Sequence, residues 1–113
     1  MLMAFQNVVG TRLGQGAITT SYTSFYTVPA STRAYIKDLD MCNTSSATVY
    51  IYVSFVTAGD TAGTSNAILY NAVIPAYSTL QWTGTQILNA GGTVQVKASS
   101  TGCTITISGG EAT

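Results

Sequence analysis

Asp38 and Asp40 stand two residues apart, and Asp60 sits in a glycine-bearing stretch. Carboxylates so placed could hold calcium, which takes about six to eight oxygen ligands, or could share the acid and base roles of a glycosidase. Neither pattern is complete. The spacing matches no calcium loop, and residues i and i+2 of a strand lie about 7 Å apart on one face with no cleft between them. A serine nucleophile would need a base within reach, and the chain has no histidine. Only Lys37 or Lys97 remains for that role, and Lys97 alternates outward in a strand-like run, where it should be hydrated. Cys42 and Cys103 cannot close a zinc site without histidine or further cysteines. The glycines of 89–92 (NAGG) and 14–16 (GQG) lead into no helix that could hold a phosphate, and read as turn glycines. The expectation is a protein that is not an enzyme and has no cofactor and no metal. Asp38 or Asp40 is expected to pair with Arg33 or Lys37.

Recognition is the chemistry left. Tyr22, Tyr26, Tyr50, Tyr52, Tyr70 and Tyr77, with Trp82, could stack on a sugar, fill a core or meet another subunit. Aromatic residues are enriched at interfaces, so subunit contact is the expected role. Tyr50 and Tyr52 are the best placed, because strand alternation sets them opposite the core. Trp82 is expected in the core or an interface.

These residues lie on strands separated by turns. In 47–56 (ATVYIYVSFV) Val49, Ile51, Val53 and Phe55 share one face, and Thr48, Tyr50, Tyr52 and Ser54 the other. The same alternation places Val94 and Val96 inward in 93–98, and Cys103, Ile105 and Ile107 inward in 103–108. Residues 20–28 end at Pro29, which cannot donate to a ladder. In 34–42 the apolar residues change face, and a β-bulge near Lys37 or Asp38 would reconcile them. Residues 67–74 bury Ile68, Tyr70, Ala72 and Ile74, or else Leu69 and Val73. In 78–83 Leu80 and Trp82 share a side. Turn residues punctuate the runs at 29–32, 43–46, 75–77, 89–92 and 99–102, and 57–66 is the longest loop. No helix of ordinary length is visible.

The expected fold is therefore all-β, a single β-sandwich or jelly roll of about seven or eight short antiparallel strands. Residues 17–113 form the sandwich. Residues 1–16, where Phe5, Val8, Val9 and Leu13 are interrupted by glycines, read as an extended N-terminal arm that packs on a neighbour. Removing residues 2–15 is expected to leave the sandwich folded.

The chain has 113 residues, with four Lys plus Arg, four Asp plus Glu and a net charge of zero. Phosphate binding needs clustered cations, and these are scattered, so no nucleic-acid partner is expected. No run approaches the roughly 18 apolar residues of a membrane span, and the first residues lack the basic region of a secretion signal. No membrane is expected, and the two cysteines are expected to be free thiols. Hydrophobic residues make up 46% and charged residues 7%. So little charge favours association, so much of the surface is expected to be covered in the working state, by copies of the chain as a homo-oligomer, trimer or dimer, or by a larger assembly.

Four segments carry a resemblance. Residues 26–37 (YTVPASTRAYIK), Cys42-Asn43-Thr44-Ser45, 74–84 (IPAYSTLQWTG) and 87–98 (ILNAGGTVQVKA) occur in the order seen in small virion structural proteins of tailed bacteriophages. The first resembles that family's YTVPAGTTAVVK opening, with Ser31 in place of its glycine. Gly92 stands where the family often has Asp. The match spans about residues 20–108. It implies a non-enzymatic β-sandwich of the virion, assembled in the bacterial host cytoplasm. The resemblance does not separate the roles such modules take, but with the low charge, the hydroxyl-rich faces and the glycine-spaced arm the expected role is a head decoration or cement protein that bridges and stabilises neighbouring major capsid proteins. The alternative is a tail, fibre or baseplate component that contacts tail proteins or a host surface glycan. The candidate interface residues are Phe5, Val8, Val9, Leu13, Tyr50 and Tyr52.

Overall fold

A computed structural model describes residues 8–113. Eight strands follow one another: β1 (Val8–Ala17), β2 (Thr23–Thr27), β3 (Arg33–Asn43), β4 (Val49–Val56), β5 (Ala67–Ile74), β6 (Thr79–Leu88), β7 (Thr93–Ala98) and β8 (Cys103–Ala112). They form two four-stranded sheets in the orders β1-β8-β3-β6 and β2-β7-β4-β5. Every ladder is antiparallel. First pairs with last, second with seventh, third with sixth and fourth with fifth. That is a long hairpin rolled up on itself, the jelly-roll form of the sandwich.

The core is what period-two alternation requires. Val49, Ile51, Val53, Val94, Val96, Cys103, Ile105 and Ile107 are all buried between the sheets. The bulge expected in the third run sits at Lys37, where β3 shifts register against both β6 and β8 between Ile36 and Asp38. It lets Ile36 and Leu39 both face inward, which an unbroken strand could not do. Strand β5 mixes the two expected patterns. Ile74 and Leu69 both turn to the core because the ladder with β4 shifts twice and Asn71 adopts φ 55° between them. Ser54 is buried, although alternation sets it outward. Loop 57–66 folds over it, and its hydroxyl donates to the Gly63 carbonyl at 3.3 Å.

The N-terminal arm differs from the expectation. From Val8 onward it is strand β1, paired along its length with β8. Val8 and Val9 are exposed, while Leu13 packs against the core. Truncation through residue 15 would strip most of an edge strand and bare β8, so it no longer tests an arm. Phe5 lies outside the described residues.

The corners at one end of the barrel-like roll are laced together. The Asn43 backbone N donates to Ser78 O, Tyr77 N to Ser45 O and Thr44 N to Gly102 O, at 2.8, 3.2 and 2.9 Å. At the other end Val28 N donates to Gly92 O, and Gly91 N to Val28 O. Ser31, in the β2–β3 corner, has φ 58°. An L-residue there is strained by about 1 kcal/mol relative to glycine. Ser31→Gly is expected to stabilise the chain by about 0.5 kcal/mol, the released strain being partly offset by a freer unfolded chain. Urea unfolding measures it, and a lower midpoint would refute it.

A contact between two polar side chains joins the sheets near one edge. The Tyr26 hydroxyl on β2 donates to Glu111 Oε2 on β8 at 2.6 Å. Burial, then the hydrogen bond and charge of Glu111, push the Tyr26 pKa well up. A pKa raised by folding gives stability that is complete below the unfolded value, about 10, and is lost as pH climbs beyond it. Tyr26→Phe is therefore expected to flatten the fall in unfolding free energy between about pH 10 and 12, while losing about 1 kcal/mol at neutral pH. Denaturant titrations of both proteins across that range give the comparison.

Candidate interaction surfaces

Strand register builds an aromatic row on the outer face of the second sheet. Lys97 on β7 lies directly opposite Tyr52 on β4. Its ammonium sits 4.9 Å from the ring centroids of both Tyr52 and Tyr22, the latter just ahead of β2. The Tyr52 ring meets Tyr70 of β5 edge-on, with centroids 5.0 Å apart and planes at 82°. Its hydroxyl donates to Asn71 Oδ1 at 2.9 Å. The left-handed conformation of Asn71 within β5 thus also aims an acceptor at Tyr52. Contacts of these kinds are each worth about 0.5–1 kcal/mol, so Tyr52 is held in place before any partner arrives. Around it Tyr50, Tyr70 and Val73 are 39%, 57% and 52% exposed, and Val73 pairs with Tyr50 across the ladder.

The outer face of the first sheet is polar. Asp38 and Asp40 do share it, and a hydrogen bond between them pushes the Asp40 pKa up, aided by burial and by the charge of Asp38 and opposed by Gln81. Gln81 Nε2 donates to Asp38 Oδ1 at 3.1 Å. Lys37 does not pair with either carboxylate as expected. The bulge sets it opposite β6, where Nζ donates to Thr85 Oγ1 at 2.8 Å. Beside it a shallow groove of about 380 Å³ is floored by Gly10, Gly109 and Gly110 and walled by Val8, Tyr35, Lys37 and Thr85. Among the described residues no group of three or more His, Cys, Asp or Glu is placed to hold a metal. Among them, too, no helix is long and apolar enough to cross a membrane.

Cys42 pairs with Thr104, and Cys103 with Asn43, so the two thiols stand on opposite faces of one sheet. They cannot bridge without backbone movement, and both are free. Burial, then Cys42, push the Cys103 thiol pKa up, which leaves it unreactive near neutral pH.

Of the candidate interface residues, Tyr50 and Tyr52 fall together on the aromatic row. Val8 and Val9 lie on the first sheet's edge strand, and Leu13 is turned to the core. Sequence reasoning missed Tyr22, Lys97 and Asn71 as partners of Tyr52. The β2–β7, β4–β7 and β4–β5 registers reveal them. No protein-family model matches the chain, and no curated protein sequence matches it.

Proposed function

We propose that this chain is a bacteriophage virion structural protein, a head decoration or cement protein that bridges neighbouring major capsid proteins. The observation that carries the reading is the aromatic row. A preorganised strip of Tyr22, Tyr52 and Tyr70, with Tyr50 and Val73 exposed beside it, suits a protein partner more than solvent. The virion setting rests on the four resembling segments, and the scarcity of charge agrees with a surface covered in the assembled state. The mechanism is mechanical. Each seated copy adds contacts that must break before the shell can rupture. Burial gains about 25 cal/mol per Å² of apolar area, much of it offset by immobilising the subunit, so many weak copies act together.

Quantitative mass spectrometry of purified particles tests the reading. A copy number equal to that of the major capsid protein, or a simple fraction of it, supports decoration. A trace amount would move the protein to the tail, fibre or baseplate, and absence from particles would overturn the virion role. A Tyr50→Ser/Tyr70→Ser variant should still fold, because neither side chain belongs to the core. Its occupancy on particles is expected to fall at least tenfold, as loss of about 1.4 kcal/mol or more per copy requires.

A further inference from the structure

An exposed sheet edge is a template for another strand, and proteins blunt such edges with charge, bulges or brevity. Three of the four edges here are blunted. Strand β1 carries Arg12, three glycines and a register break at Leu13. Strand β2 has five residues and a break at Phe25. Strand β5 is broken twice and bent at Asn71. Strand β6 is different. It has ten residues, no proline and no charge, and Thr83 to Ile87 are all exposed. Its ladder with β3 shifts register once, where Gly84 and Thr85 face Lys37, but its own alternation is unbroken. Leu80, Trp82, Gln86 and Leu88 pair with the inward residues Met41, Leu39, Ile36 and Ala34. Gln81, Thr83 and Ile87 pair with Asp40, Asp38 and Tyr35 on the outer face.

The strand also complements itself. Its sequence, TLQWTGTQIL, is nearly symmetric about Gly84. We infer that two copies of this chain pair antiparallel through the free edges of β6, with Gly84 on the two-fold axis, making one continuous eight-stranded sheet. Each opposed pair then keeps its face. Leu80 meets Leu88 and Trp82 meets Gln86 on the inner side, while Thr83 meets Thr85 and Gln81 meets Ile87 on the outer side. Cross-strand threonine and aliphatic pairs are favourable, and no like charges oppose. Gly84 brings no side chain to the axis, where its own Trp82 ring already covers the place a Cβ would take. A pairing of this isologous kind closes at two copies. The inference stands apart from the virion role, since it depends only on the β6 edge.

Light scattering with size separation of the wild-type protein at about 100 µM should return twice the 11.7 kDa chain mass. Two outward charge sets, Thr83→Lys/Thr85→Lys and Thr83→Glu/Thr85→Glu, would each place like charges across the axis. Each alone should run as one chain, and an equimolar mixture should regain the two-chain mass as a one-to-one hybrid by native mass spectrometry. Amide hydrogen exchange of the unaltered chain gives a readout free of folding defects, because the alternate amides of 83–87 that point away from β3 should gain at least tenfold protection between dilute and concentrated samples. A wild-type monomer at 100 µM, an oligomer that survives in both charge variants, or concentration-independent exchange across β6 would each overturn the pairing.

Discussion

Asn43→Ala is expected to destabilise the chain by about 3–5 kcal/mol, among the largest losses any single side chain here can cause. Asn43 ends β3, is fully buried, and ties three segments together. Its Nδ2 donates to the carbonyls of Ala47, Ile74 and Pro75 at 2.8, 3.0 and 3.1 Å. Its Oδ1 accepts from the Ser45 amide at 2.9 Å and the Ser45 hydroxyl at 2.7 Å. One side chain thus satisfies the β3–β4 corner and holds the β5–β6 corner against it. Alanine would strand the buried Ile74 carbonyl and open a cavity. Asn43→Asp is nearly isosteric and separates donor loss from cavity formation. It keeps both acceptors and turns a carboxylate toward three carbonyl oxygens, so it should lose at least as much as alanine at pH 7. It should recover part of that loss below the carboxylate's pKa, when one oxygen can again donate. Urea unfolding of the three proteins at pH 7 and pH 4 gives the comparison. An aspartate variant as stable as wild type at pH 7 would show that the corner is held by its backbone bonds alone.

The strands whose side chains alternate were legible because burial on one face leaves a period-two trace. Even the bulge at Lys37 could be read, since Ile36 and Leu39 cannot both reach the core without it. Strand β1 was not legible. An edge strand buries little, so glycine, arginine and glutamine occupy positions that a central strand would fill with Val or Ile. Its pattern of apolar residues between glycines looks the same as that of a free arm. The sheet order was illegible for another reason. The pairings of β1 with β8 and of β2 with β7 are set by long-range closure, and no local residue marks them. The aromatic row shares that limit. Alternation exposes Tyr52, but Lys97 and Tyr22 reach it only through the ladder order.

The segments that resemble phage virion proteins occupy particular places in the fold. Residues 26–37 run through the β2–β3 corner, 42–45 start the β3–β4 corner, 74–84 make the β5–β6 corner and 87–98 the β6–β7 corner. They hold Asn43, the strained Ser31, and Gly92, where an added Cβ would come within 3.0 Å of Asn89 O. Tyr22, Tyr50, Tyr52, Tyr70 and Val73 lie outside them all. Corner residues are constrained by backbone geometry whatever the domain binds, whereas exposed side chains answer only to a partner. A resemblance of this kind therefore speaks to architecture first. The partner has to be read from the aromatic face.

Two adjacent glycines on β8 should answer very unequally to the same substitution. Gly109 pairs with Ile36 at the level where β3 bulges, and a side chain there would run into the β3 backbone. An added Cβ would collide with the Tyr35 carbonyl oxygen, and would lie 3.1 Å from the Tyr35 carbonyl carbon and 3.2 Å from the Lys37 nitrogen. All three are backbone atoms, so no rotamer change relieves the clash, and β3 or β8 must move. Gly109→Ala is expected to lose about 3 kcal/mol or more. Gly110 points outward, and a Cβ there would first meet Val8 Cγ1 at 3.3 Å, the end of an exposed side chain that can turn away. Gly110→Ala is expected to lose less than about 1 kcal/mol. Urea unfolding of the pair decides the matter, and equal losses would mean that the bulge yields to a methyl group. The bulge also sets Lys37 against Thr85. A Gly109→Ala protein that stays folded should therefore show a disturbed outer face around Lys37 and Asp38, visible as amide shifts confined to β3, β6 and β8. Holding that side-chain placement is a physical reason for glycine at a strand position where alanine would otherwise serve.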